Sequence, residues 1–169
     1  MMARQEQDTA TRNSAWPSWM LLLAAVLLWG FTQARADERA VLAAEVQQRI
    51  DAFDEIDQLF RALRFKVVNQ RSQDHQGALV YADQLVNLAY QLPGLFEAET
   101  PRQVIPFSRA RPEIWSRKAR YDFLMDEFLD NLEEIQALLR QARLTDAGHR
   151  IDRTAQSCRR CHDPFRYRR

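Results

Sequence analysis

The sequence predicts an all-α protein, an antiparallel four-helix bundle, and three observations carry that prediction. The chain has only 4 glycines in 169 residues, where average usage would put about a dozen. Sandwiches, barrels and glycine-rich nucleotide loops depend on glycine turns, so the shortage argues against all of them. Long stretches repeat apolar residues at three- and four-residue steps, the helical period. Glycine and proline then gather at a few points and divide these stretches into four. A chain of this length builds one domain with an ordinary core, together with a short appendage.

The appendage is residues 1–36. Trp19 to Phe31 is an uncharged apolar run, shorter than the roughly 20 residues that span a bilayer. Ala34 and Ala36 beyond it form the A-x-A pattern of a signal peptidase site, and Arg4 and Arg12 supply a weakly basic leader diluted by Glu6 and Asp8. The segment reads as a secretory signal with Asp37 as the mature N-terminus, or as an uncleaved anchor holding the domain at the membrane. Both readings put residues 37–169, the bundle, in the periplasm. Cleavage would also leave equal numbers of basic and acidic residues.

The first helix runs from about Ala40 to Asn69, with Val46, Ile50, Phe53, Ile56, Phe60, Leu63 and Val67 on one face. A second, about Ala78 to Gln91, repeats the pattern with Leu79, Ala82, Leu85, Val86 and Ala89. Pro93, Pro101, Pro106 and Pro112 crowd the connection from Leu92 to Pro112, which cannot be regular helix. Pro112 suits the start of the third helix, about Glu113 to Arg143, whose apolar side carries Trp115, Phe123, Leu124, Phe128, Leu132, Ile135 and Leu139. Its acidic residues, Asp122, Asp126, Asp130, Glu133 and Glu134, read as a solvated face. Asp146 is placed to cap a fourth helix that runs to about Phe165. Gly77, Gly94 and Gly148 mark the joints or lie close to them.

A net charge of +1 gives no support to nucleic-acid binding. Two cysteines build neither a disulfide scaffold nor a four-cysteine metal site. Both lie in Cys158-Arg159-Arg160-Cys161-His162, the C-x-x-C-H attachment signature of c-type haem. On a helix these positions share a face, so two thiols can form thioethers with the haem vinyl groups while His162 reaches the iron. The bundle therefore carries one covalently attached haem c near its C-terminus. A redox-active pair would need a βαβ context that is missing, and a disulfide closing so small a loop would stabilise little.

The haem motif sits in the last helix, within C-x-x-C-H-x-x-F-R from Cys158 to Arg166. A Pro93-Gly94-Leu95-Phe96 turn follows the second helix, and Pro112-Glu113-Ile114-Trp115 opens the third. With these features the chain resembles the class II c-type cytochromes, the cytochrome c′ family most closely. The resemblance implies that the first helix covers the distal side of the haem. It implies that Arg49, one turn before Phe53, pairs with a haem propionate and that Phe53 is the distal residue, with Ile56 one turn away. Plain core packing is the other reading of Phe53, and the two are compatible. The resemblance also brings Arg166 beside the proximal pocket if the helix continues past Pro164; otherwise it is a solvated terminal charge. Met125 reads as core, and His75 and His149 as surface residues in joints.

The first helix has no Met, His, Cys or Lys between Val41 and Phe65, which leaves the iron five-coordinate and high-spin. Two functions follow. One is a haem protein that binds small gases, nitric oxide and carbon monoxide, at an apolar distal site. The other is an electron carrier between redox partner proteins of membrane and periplasm, a task that a missing sixth ligand disfavours. No base–nucleophile pair suggests an enzyme. The membrane is a partner only if the N-terminal segment stays uncleaved. A homodimer through the first helix agrees with the resemblance, though nothing in the sequence requires it.

Overall fold

The computed structural model describes residues 18–168, with side chains described at Trp29 and from residue 33 onward. Five helices follow in order: α1 (Ser18–Arg64), α2 (His75–Ala89), α3 (Glu113–Ser116), α4 (Lys118–Arg140) and α5 (Leu144–Phe165). A π-helical turn, Phe65–Asn69, extends α1, and a 3-10 turn, Pro93–Phe96, follows α2. The chain divides into two units, residues 1–38 and 39–169, the second being the bundle. The basic leader predicted at Arg4 and Arg12 lies outside the described residues. Among the described residues no helix is long and apolar enough to cross a membrane.

The first helix ends where the apolar period predicts. Its last turn widens into the π-helical segment, where Val67 is buried, and Arg71 then reverses the chain at φ 50°. Asp74 caps α2 by accepting the Gly77 N–H at 2.7 Å, and its carboxylate also pairs with Lys66 at 2.8 Å. A Cβ at Gly77 would stand 2.1 Å from Asp74 Oδ2, so this position needs glycine for close approach. Beyond its 3-10 turn the connection after α2 is irregular up to Pro112, as its prolines require, yet it is firmly packed. Leu92, Phe96, Thr100, Ile105 and Ser108 along it are all buried.

Expectations for the third helix, the cap of α5 and Phe123 need correction. The third helix is broken: Arg117, at φ −123° and ψ 41°, separates α3 from α4. On α3, ahead of the break, Trp115 donates from Nε1 to the Phe96 carbonyl at 3.0 Å. Asp146 does not cap α5. Arg143 holds that position without a side-chain cap, and Asp146 instead pairs with it at 2.7 Å. Phe123 is not core but 57% exposed, with the Arg120 guanidinium 5.3 Å from its ring centre. It stands between the inward positions Tyr121 and Leu124 in sequence but a third of a turn off their face.

α4 packs against both α2 and α5. Its inward stripe, Tyr121, Leu124, Met125, Leu132, Ile135 and Leu139, meets Ala82, Leu85 and Ala89 of α2 and Ile151 of α5 in one core cluster. Ile56 and Leu63 of α1 complete it. Each fully buried leucine or isoleucine stabilises by roughly 1.5–3 kcal/mol, so the stripe alone outweighs any surface ion pair, worth about 0–1 kcal/mol. Met125 is buried, as expected of a core residue. His75 opens α2 half-buried, and His149 is exposed within α5 rather than in a joint.

Candidate haem site

The inward face of α5 continues directly into the cysteine motif. Ala147, Ile151 and Thr154 are completely buried, and Cys158, Cys161 and Phe165 follow at the same helical spacing. Cys158 donates from Sγ to the Thr154 carbonyl at 3.4 Å, one turn back. Cys161 packs against the core cluster. Both cysteines are free and half-buried.

Burial sets the protonation of this face. It raises the Cys158 thiol above its ordinary range, with a smaller push from the Asp57 carboxylate of α1. It raises Cys161 to about 11, and the neighbouring Cys158 adds to the effect. Both groups are thus protonated thiols at neutral pH, the reverse of the lowered thiol in a redox-active pair. Burial also lowers the His162 imidazole, and the Arg166 and Arg109 cations lower it further against the opposing pull of Asp163 and Asp57. A neutral imidazole is the form that binds a metal.

On the α1 side, Arg49 is 5% exposed. It donates to the Leu95 carbonyl from Nε at 2.9 Å and Nη2 at 2.6 Å, and from Nη2 to Thr100 Oγ1 at 2.9 Å. Its guanidinium carbon lies 4.1 Å from the centre of the Phe96 ring. Nη1 is buried without a partner among the described residues. Phe53, one turn on, is half-buried and meets the same Phe96 ring edge-on, centroids 6.1 Å apart. The structure thus gathers Arg49 and Phe53 around one side chain from the Pro93–Phe96 turn. Ile56, the neighbouring candidate, is buried in the core.

The ring contacts continue from Phe96 to Tyr121 at 5.1 Å, and from Tyr121 to Phe165 at 5.5 Å and 90°. A ladder of four aromatic rings therefore runs from α1 across the 3-10 turn and α4 to the end of α5. Sequence reasoning missed Tyr121 as a member. Its signal was the spacing to Leu124 and Phe128 on an apolar face, which identifies a core position but not the polar group it carries.

Arg166 departs from the helical expectation. Pro164 lacks an N–H and disfavours helical backbone just before it; α5 ends at Phe165 and Arg166 is extended, at φ −129° and ψ 133°. Its N–H still closes onto the His162 carbonyl at 2.9 Å. Residues 109–111 hold the tail beyond it in a short antiparallel clasp. Arg111 N donates to Phe165 O at 3.0 Å, Tyr167 N donates to Arg109 O at 2.8 Å, and Ala110 bridges Arg166. Arg102 and Arg111 stack over the Tyr167 ring at 4.6 and 5.6 Å.

Two neutral thiols, an adjacent neutral imidazole and a buried arginine with its Nη1 unused fit a c-type haem. The sequence model of the cytochrome C' family matches residues 44–166. The chain belongs to the cytochrome c′ family. A solved cytochrome c′ is 25% identical to it, superposes with a TM-score of 0.68, and aligns over 75% of this chain and 97% of its own. A ferrous variant of cytochrome c prime from Alcaligenes xylosoxidans with bound NO is 23% identical, with a TM-score of 0.67 over 74% and 94% of the two chains. Cytochrome c′ from Rubrivivax gelatinosus, at 18% identity and a TM-score of 0.66 over 75% and 97%, shares the fold. No curated protein matches the chain. Membership in the cytochrome c′ family makes haem c the cofactor it implies, and the bundle with its C-terminal cysteine pair fits that group.

Proposed function

We propose that this cytochrome c′ family member is a periplasmic protein with one haem c, whose five-coordinate, high-spin iron binds nitric oxide and carbon monoxide at an apolar distal site. Cys158 and Cys161 would hold the haem through two thioethers, and His162 would be the single protein ligand. When bound, the haem supplies the iron at which a small uncharged gas is held. The chain's own residues set which ligands reach it. Phe53, braced edge-on by Phe96, is an apolar wall without hydrogen-bond donors. Such a wall disfavours anions and offers bound oxygen no donor. The periplasmic location rests on the Trp19–Phe31 run and the Ala34-Arg35-Ala36 pattern.

The observation that carries this reading is negative chemistry on the first helix: from Val41 to Phe65 it has no Met, His, Cys or Lys to offer the iron as a sixth ligand. The nitric oxide complexes of Alcaligenes xylosoxidans cytochrome c prime support it by family. Visible absorption of the ferrous protein, with and without carbon monoxide, tests it. The expected outcome is a high-spin spectrum that converts fully on adding the gas. A low-spin, six-coordinate spectrum indifferent to carbon monoxide would sink the gas-binding reading and favour electron transfer.

A further inference from the structure

Two buried hydrogen-bond donors lie on side chains that pack on Phe96 and find no acceptor among the described residues. One is Arg49 Nη1; the other is the hydroxyl of Tyr121, a residue only 3% exposed. They reach the ring from different elements, Arg49 with its guanidinium carbon 4.1 Å from the ring centre and Tyr121 with its own ring 5.1 Å away. The two groups lie within electrostatic reach of each other, and Tyr121 lies within reach of Cys161 as well. Buried donors are nearly always satisfied in native proteins. Two such donors, on side chains that pack on the same ring, call for an acceptor brought in from outside the chain. It must accept from a cation and a phenol at once, which describes a carboxylate.

Haem carries two carboxylates on its rim, and the resemblance already assigns Arg49 to one of them. Resting on the haem reading above, we propose that the Tyr121 hydroxyl is a second donor to that same propionate carboxylate. Tyr121 is then a cofactor-binding residue on α4, and the propionate is gripped from α1 and α4 together. The aromatic ring keeps its packing role between Phe96 and Phe165, while the hydroxyl alone serves the cofactor.

The test is Tyr121→Phe in the haem-loaded protein, a change that keeps the ring ladder and removes one oxygen. Resonance Raman should show the propionate bending mode displaced from its wild-type frequency. The midpoint potential should fall, because a carboxylate without its donor carries more negative charge toward the iron. An unchanged bending mode with an unchanged potential overturns the proposal. So does an unchanged bending mode accompanied by a shifted C–O stretch under carbon monoxide, which would place the hydroxyl at the gas site instead. Arg49→Lys provides the second arm. If both donors share one carboxylate, its effect on the bending mode should differ between the wild-type and Tyr121→Phe backgrounds; strictly additive effects refute sharing. The haem reading fails separately, and visibly, if the purified wild type shows no covalently held haem in a pyridine haemochrome spectrum.

Discussion

At the scale of single residues, protonation and exposure divide the work of the site. Cys158, Cys161 and His162 share one helical face, but burial acts on them in opposite senses, keeping the thiols protonated and the imidazole neutral. Phe53 is held at an angle by its neighbour Phe96 and remains half-buried. Phe53→Ala should therefore widen the distal site proposed above. Carbon monoxide association, followed by flash photolysis, should accelerate by about tenfold, equivalent to about 1.4 kcal/mol of barrier. An unchanged rate would remove Phe53 from the distal wall. That Cys158, Cys161 and His162 share a helical face, and that Arg49 and Phe53 stand one turn apart, was legible because each lies within a few residues of its partner on one helix. Tyr121 was not. Its neighbours Phe96 and Phe165 come from other elements, and periodicity reports that a residue faces inward without saying what waits there.

At the scale of elements, the helices are bounded less by glycine than the sequence suggests. Glycine does its expected work at Gly77, where Asp74 leaves no room for a side chain. At the end of α4 the corresponding post falls to Ala142, at φ 55°. Ala142 N donates to Leu139 O at 3.0 Å and Arg143 N to Leu138 O at 2.9 Å, closing the last carbonyls of the helix. A left-handed alanine costs about 1–2 kcal/mol, part of which glycine returns through its freer unfolded chain. Ala142→Gly should accordingly stabilise the protein by roughly 0.5–1 kcal/mol, read as a higher Tm in thermal circular dichroism. A lower Tm would mean that the alanine methyl contributes packing that outweighs its backbone cost. The break at Arg117 was illegible for a related reason. No proline or glycine marks it, and the contact that accompanies it, Trp115 to the Phe96 carbonyl, spans 19 residues.

At the scale of the whole molecule, α4 is the element that joins the others, packing on α2 and α5 and lending Tyr121 to the aromatic ladder. The bundle and its order of helices followed from breaker positions and apolar period, both local properties. The clasp of residues 109–111 on the tail did not, because it pairs two irregular segments more than 50 residues apart. Removing Tyr167–Arg169 should lower stability by about 1–3 kcal/mol, through the lost backbone bonds and the arginine stacking on Tyr167. Tyr167→Ala, which spares the backbone bonds, should cost less. Equal losses in chemical denaturation would show that the ring, not the clasp, holds the tail.

The same clasp bears on the timing of biogenesis. It closes on Phe165, Arg166 and Tyr167, immediately downstream of His162, while α4 covers α5 from the other side. With both contacts formed, Cys158, Cys161 and His162 are half-buried, while Arg159 and Arg160 between them stay exposed. On the haem attachment proposed above, loading before closure would leave the thiols their freest approach. The nascent chain would receive its cofactor on an open C-terminal segment and then shut around it, with the last few residues acting as the latch.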